Sequence, residues 1–218
     1  MLGFGTASTV ENNDFSQGTN GWTFGTSPAT VVPHAETVGP TDQLVPPSAA
    51  KVQMKQLASI VTNNDLELST SGEGAQSMSR TFTTKPGTTS VVVRYRFVTS
   101  EVPGGFFGSE YNDYFSVIIR SSTSAASEAK TMNSLGLTAF DAGGSTGWRT
   151  LSINTNPQGD QIQVDATVAN VGDGAYQSQV LIDFVEETRD KVKPTLTWNS
   201  NAGGISLGYS VQESALES

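Results

Sequence analysis

The feature that most limits the folds open to this chain is a succession of short runs in which apolar and polar side chains alternate, each closed by a turn of Gly, Pro, Asn or Asp. Alternation at period two marks a strand with one face in a core and the other in water. Gln161-Ile162-Gln163-Val164-Asp165-Ala166-Thr167-Val168 is the cleanest case. Ser90–Val98, Asp113–Arg120 and Ser178–Val185 are further strong strands, and Ala29–Val32, Ala50–Met54, Ser77–Phe82 and Thr150–Ile153 weaker ones. Turn chemistry separates them at Gly18–Gly21, Lys85–Gly87, Pro103–Gly105, Ala142–Gly144, Asn156–Gly159 and Gly172–Gly174. Strands in this number, with such loops between them, predict an all-β, jelly-roll-like antiparallel sandwich with at most one or two short helices. Ser124–Leu135 has helix formers and few β-branched residues, so it reads as a short helix or as an excursion between strands.

At 218 residues the chain is long enough to bury a core without covalent staples, and it has no cysteine. That excludes a disulfide framework, a thiol nucleophile and zinc held by thiolates. Net charge is −9, from 21 acidic and 12 basic residues. Such a surface has no electrostatic footprint for nucleic acid or anionic lipid; it either favours hard divalent cations or simply keeps an extracellular protein soluble. No apolar run approaches the roughly 20 residues of a membrane helix, so membrane insertion is not expected. Met1–Gly5 carries neither a basic region nor a long apolar one, so it does not read as a signal peptide. Residues 1–10 read as a linker start and 11–190 as the sandwich. The charged stretch Glu186–Pro194 leads into 191–218, an extra hairpin or the start of a following module.

Catalytic signatures are missing. There is no GxSxG elbow, HExxH, P-loop or dinucleotide fingerprint. The single histidine, His34, follows a proline in a loop and reads as a surface residue. The expectation is a chain that is not an enzyme. Its acidic residues beside apolar strands are more informative. Glu110-Tyr111-Asn112-Asp113 puts oxygen-rich side chains where a loop enters a strand, and Asp173 lies between glycines in a second loop. Asp183 sits inside the apolar run Leu181–Phe184, where alternation puts it on the face of Leu181, away from Ile182 and Phe184. A carboxylate there is paired, hydrogen-bonded or metal-bound unless it faces solvent or caps a turn. Trp22, Tyr111, Tyr114, Trp148 and Tyr176 lie in or beside loops and could form a sugar platform, with Trp22 and Trp148 reading also as core plugs. Phe106 and Phe107, between glycines, cannot both enter one core from an extended segment, so one is a candidate contact for a ligand or partner.

Three segments carry a family resemblance. They are Asn12-Asn13-Asp14-Phe15 with Gly21-Trp22, then Ser109-Glu110-Tyr111-Asn112-Asp113-Tyr114-Phe115-Ser116-Val117, and Val171-Gly172-Asp173-Gly174-Ala175-Tyr176 running on to Asp183. Over residues 11–187 the chain resembles the jelly-roll ligand-binding modules of bacterial extracellular adhesins of the repeats-in-toxin type, and is similar to carbohydrate-binding modules. The resemblance implies a jelly roll with bound Ca2+ where the first and last strands meet, or in the loops near Asn112-Asp113. Where the family pattern places Glu after the Phe, this chain has Ser16. The candidate calcium ligands are Asp14, Glu110, Asn112, Asp113, Asp173 and Asp183. The candidate ligand-contact residues are Phe106, Phe107, Tyr111, Asp113, Asp173 and Tyr176. The implied function is calcium-dependent binding of carbohydrate or peptide on another cell surface, by a domain that is extracellular, on a bacterial surface or secreted, and monomeric as a fragment. The alternatives are a structural spacer or self-association domain, or an accessory module of a secreted hydrolase.

Overall fold

The computed structural model describes residues 10–35 and 64–189, together with the backbone of two short strands, Leu196–Thr197 and Ser210–Val211. The expected strand at Ala50–Met54 lies outside the described residues, as do most of the calls made for 1–10 and 191–218. In chain order the strands are β1 (Thr23–Phe24), β2 (Thr30–Pro33), β3 (Asn64–Ser69), β4 (Gly74–Thr83), β5 (Thr88–Thr99), β6 (Tyr114–Arg120), β7 (Ala125–Thr131), β8 (Arg149–Asn154), β9 (Gln161–Asn170) and β10 (Ser178–Arg189). Two four-residue helices interrupt them, α1 (Glu101–Gly104) and α2 (Met132–Leu135). One sheet has the order β1-β4-β9-β6-β7 and the other β2-β3-β10-β5-β8, each with antiparallel pairing throughout. Leu196–Thr197 and Ser210–Val211 pair with each other as β11 and β12. The fold is therefore the expected jelly-roll-like antiparallel sandwich. No helix among the described residues is long and apolar enough to cross a membrane.

The core is the space between the two inner faces. Alternation selects Val91, Val93, Tyr95 and Phe97 from β5, Phe115, Val117 and Ile119 from β6, and Ile162, Val164, Ala166 and Val168 from β9. Phe97 and Phe115 stack across the two sheets with ring centroids 4.9 Å apart. Each such side chain, taken fully from water, contributes on the order of 1.5–3 kcal/mol. The opening motif turns out to be structural: Phe15 and Trp22 are both core residues, as expected for Trp22. Asn12 holds the loop between them, accepting from the Gln17 amide at 2.9 Å and donating to the Gly18 and Asn20 carbonyls.

The phenol of Tyr95 carries a polar group into this core that is fully provided for. The Tyr95 hydroxyl donates to Glu128, and Arg149 clamps the same carboxylate with both arms, Nε at 2.7 Å. Burial draws the Glu128 carboxyl upward, but the hydrogen bonds from Arg149 and Tyr95 outweigh it and hold it below its ordinary value. Burial and the neighbouring carboxylate push the Tyr95 hydroxyl well up, so it stays a donor. Because Glu128 lies in β7 and Arg149 in β8, this network ties the edge of one sheet to the edge of the other.

Two expectations need correction. Ala125–Thr131 is not helical: it pairs residue for residue with β6, from Tyr114 to Arg120, and only Met132–Leu135 turns. Helix propensity in a peripheral segment yields to the ladder bonds an edge strand supplies. Alternation also fails once in β10. A β-bulge lies between Ile182 and Phe184, so Asp183 is the extra residue, and Phe184 pairs with Arg94 on the outer face instead of turning inward. The charged stretch from Glu186 is the end of β10 as far as Arg189.

Candidate functional site

Three segments meet at one end of the sandwich. Asp113, just before β6, is 1% exposed. Its carboxylate accepts from the Val171 amide at 2.9 Å and from the Ser178 hydroxyl at 2.6 Å, while its carbonyl accepts from the Met132 amide. It thereby joins the start of β6 to the end of β9 and the start of β10. Burial raises its carboxyl, against the lowering effect of Ser178 and Val171. Asp173, half-buried, is folded into a local turn with its carboxylate accepting from the Ala175 amide at 2.9 Å. The third acid, Glu101, opens α1 and was not foreseen. It is 1% exposed and its Oε2 has no hydrogen-bond partner. Burial first, then the charges of Asp113 and Asp173, push its carboxyl up to about 7. A group held this far from its ordinary range by burial and like charges marks an acidic site short of a counter-charge.

Aromatic rings stand beside these acids. Phe106 meets Tyr111 edge-on at 5.5 Å and Tyr176 at 5.1 Å. Tyr176 is 37% exposed, whereas Phe107 turns the other way and packs on the core. The sequence argument that these two Phe side chains part company therefore holds. The approach of the two loops depends on Gly172. Its φ is +90°, and a Cβ there would come within 3.0 Å of the Tyr111 ring.

A second cluster lies on the outer face of the β2–β8 sheet. His34 follows the edge strand β2 and is not a surface residue: its side chain is 13% exposed and sits among acids. Its Nδ1 is 2.7 Å from Oδ1 of Asp65 and 3.2 Å from Oδ1 of Asp183, both carboxylates fully buried. Arg94 holds the other oxygen of Asp183 at 2.6 Å. The imidazole stacks on the Trp148 ring at 5.3 Å, and the Arg94 and Arg96 guanidiniums lie 4.9 and 4.6 Å from the centre of the same indole. The Trp148 indole N–H and Arg96 both donate to the Ala35 carbonyl. Trp148 is thus neither a core plug nor part of the loop-end rings. Burial raises the Asp65 carboxyl, with the His34 contact opposing.

No protein-family model matches the chain, and no curated protein matches its sequence. Solved structures do superpose. A family 61 carbohydrate-binding module in complex with β-1,4-galactotriose gives a TM-score of 0.44 at 11% identity, over 85% of this chain and 100% of that one. A carbohydrate-binding module specific for non-crystalline cellulose gives 0.41 at 13%, over 84% and 94%. The enzymatically active domain of a bacteriophage CBA120 tailspike gives 0.40 at 12%, over 83% of this chain and 21% of that one. Scores of this size carry no functional weight.

The residues singled out from sequence divide between these places. Asp113, Asp173, Tyr111, Tyr176 and Phe106 converge at the loop end. Glu110 is exposed beside them, and Asn112 accepts from the Asn133 amide at 2.9 Å. Asp183 belongs to the sheet-face cluster. Asp14 accepts from the amide and hydroxyl of Ser16, which hold its carboxyl below the usual value. Sequence reasoning missed Glu101, Asp65 and the role of His34. Among the described residues, His34, Asp65 and Asp183 are the one group whose ligand atoms all lie within 4.8 Å of one another.

Proposed function

We propose that this domain is a non-catalytic binding module for carbohydrate, borne by an extracellular bacterial surface protein, with its site at the loop end of the sandwich. The observation that carries the reading is the juxtaposition of Glu101, Asp113 and Asp173 with the ring trio Phe106, Tyr111 and Tyr176. Aromatic faces offer sugar C–H faces a large contact area, and carboxylates accept from sugar hydroxyls.

Calcium is part of the proposal. The buried, unpartnered Oε2 of Glu101 fits a cation, and Ca2+ takes six to eight oxygen ligands in flexible geometry. Glu101, Asp113 and Asp173 would hold it. Binding requires Asp173 to close on Glu101, and glycines flank it on both sides. The ion would supply positive charge to three crowded carboxylates and open positions for sugar oxygens. Asp14 and Asp183, engaged elsewhere, would take no part.

A glycan array followed by calorimetry, with calcium and then with chelator, tests this. Tyr176→Ala is expected to weaken the best glycan by roughly five-fold, about 1 kcal/mol of ring contact, with melting unchanged. Glu101→Gln is expected to remove the calcium dependence. If both variants bind every glycan as the wild type does, the site lies elsewhere.

A further inference from the structure

The sheet-face cluster is independent of the loop-end reading, and its geometry points to a divalent metal site of a different kind: we infer that His34 Nδ1, Asp65 and Asp183 bind a borderline cation of the Zn2+ or Co2+ class. Three donors arrive from three separate segments, the end of β2, strand β3 and the bulge of β10. Their spacing suits an ion. Adjacent ligands at about 2.1 Å from a tetrahedral metal stand roughly 3.4 Å apart, and Nδ1 lies 2.7 and 3.2 Å from the two carboxylate oxygens, so a small opening of the three would seat an ion.

Hydrogen bonding leaves one oxygen of this cluster out. An imidazole nitrogen carries at most one proton, yet Nδ1 faces two carboxylates. Oδ2 of Asp65 is buried with no hydrogen-bond partner at all. A buried atom left so costs free energy, and a cation would satisfy it.

Charge argues the same way. Asp65, Asp183, Glu67 and Asp141 all act on Arg96, and Asp183 acts on Glu186. Against these carboxylates stand two guanidiniums, Arg94 and Arg96. Among the described residues, the carboxylates of Asp65, Asp183, Glu67, Asp141 and Glu186 outnumber these guanidiniums, an imbalance that a divalent ion would reduce. The surroundings also resemble a metal's outer shell. Arg94 fixes the orientation of Asp183, and the stack on Trp148 fixes the plane of the imidazole. A nitrogen among the donors selects against Ca2+, which prefers oxygen alone, and in favour of Zn2+ or Co2+.

The chain has one histidine, so the test needs no substitution to begin. Tag-free protein is stripped with chelator and titrated with Zn2+, with Ca2+ in parallel, while the imidazole nitrogens are followed by long-range proton–nitrogen correlation spectra. The expected result is one Zn2+ per chain, a shift at Nδ1 rather than Nε2, and no shift with Ca2+. Co2+ should add visible absorption bands. His34→Gln should then lose more than about 100-fold in Zn2+ affinity, beyond the 10–100-fold typical of outer-shell changes. Glu101→Gln should leave Zn2+ affinity unchanged. An imidazole spectrum that does not respond to Zn2+, or His34→Gln protein that binds Zn2+ as tightly as the wild type, overturns the inference.

Discussion

Replacing Glu101 by Gln should make the calcium-free protein more stable, and only above a definite pH. The Glu101 carboxyl is raised from 4.5 to about 7, chiefly by burial and then by Asp113 and Asp173. At about 1.4 kcal/mol per pH unit, that gap corresponds to roughly 3 kcal/mol. A carboxyl whose folded value lies above its unfolded value contributes stability that is fully present below about 4.5 and is lost as pH rises through about 7. In that window the unfolded chain has given up its proton and the folded chain still holds one. Gln stays neutral throughout and is free of this loss. In chelator the two proteins should therefore melt together near pH 4 and part progressively. By about pH 8 the variant should lead by roughly 6–12 °C, at about 2–4 °C per kcal/mol for a domain of this size. Differential scanning fluorimetry across the range reads this directly. Saturating calcium should reverse the order, because the wild type gains a ligand-bound state that the variant lacks. Melting curves that run parallel at every pH would refute the reasoning.

Three more outcomes follow from the packing. Phe97→Ala removes a fully buried ring stacked on Phe115 and should cost about 3–5 kcal/mol in urea unfolding. Gly144→Ala should cost about 2–4 kcal/mol by the same assay. At φ +79°, its Cβ would fall 2.1 Å from the Thr99 carbonyl oxygen, so the turn beside Glu101 would have to move. Tyr95→Phe should cost about 1–2 kcal/mol, since Glu128 loses a buried donor.

The strands with clean alternation were legible because burial of one face and solvation of the other is what forms them. Strand β3 was not. Leu66 and Leu68 alternate inward, but Asp65 and Glu67 between them have poor strand propensity. They are tolerated because partners wait on the outer face: His34 for Asp65, and Gln179 for Glu67. Those partners are distant in sequence, and no local pattern announces them. The loop-end site was half legible. Asp113 and Asp173 stood out beside strong strands, whereas Glu101 sits in Ser100-Glu101-Val102-Pro103, which looks like any turn. What brings it in is the hydrogen bond from its own amide to Thr99 and the tight approach of Gly144, both matters of tertiary geometry. His34 followed the usual expectation for a lone histidine in a loop until β2 placed it over β3 and β10.

The bulge at Asp183 has a consequence for how this surface can change over generations. Val180 and Ile182 point inward ahead of it, Val185 and Glu187 behind it, so the parity of β10 switches across a single residue. Anywhere else in the strand, losing one codon would turn every later side chain to the wrong face. At position 183 the same loss would restore a regular ladder from Ser178 to Thr188 and leave both halves facing as they do now. The carboxylate that anchors Arg94 and His34 is thus carried on a removable unit. A lineage could gain or shed it in one in-frame event without rebuilding the sandwich.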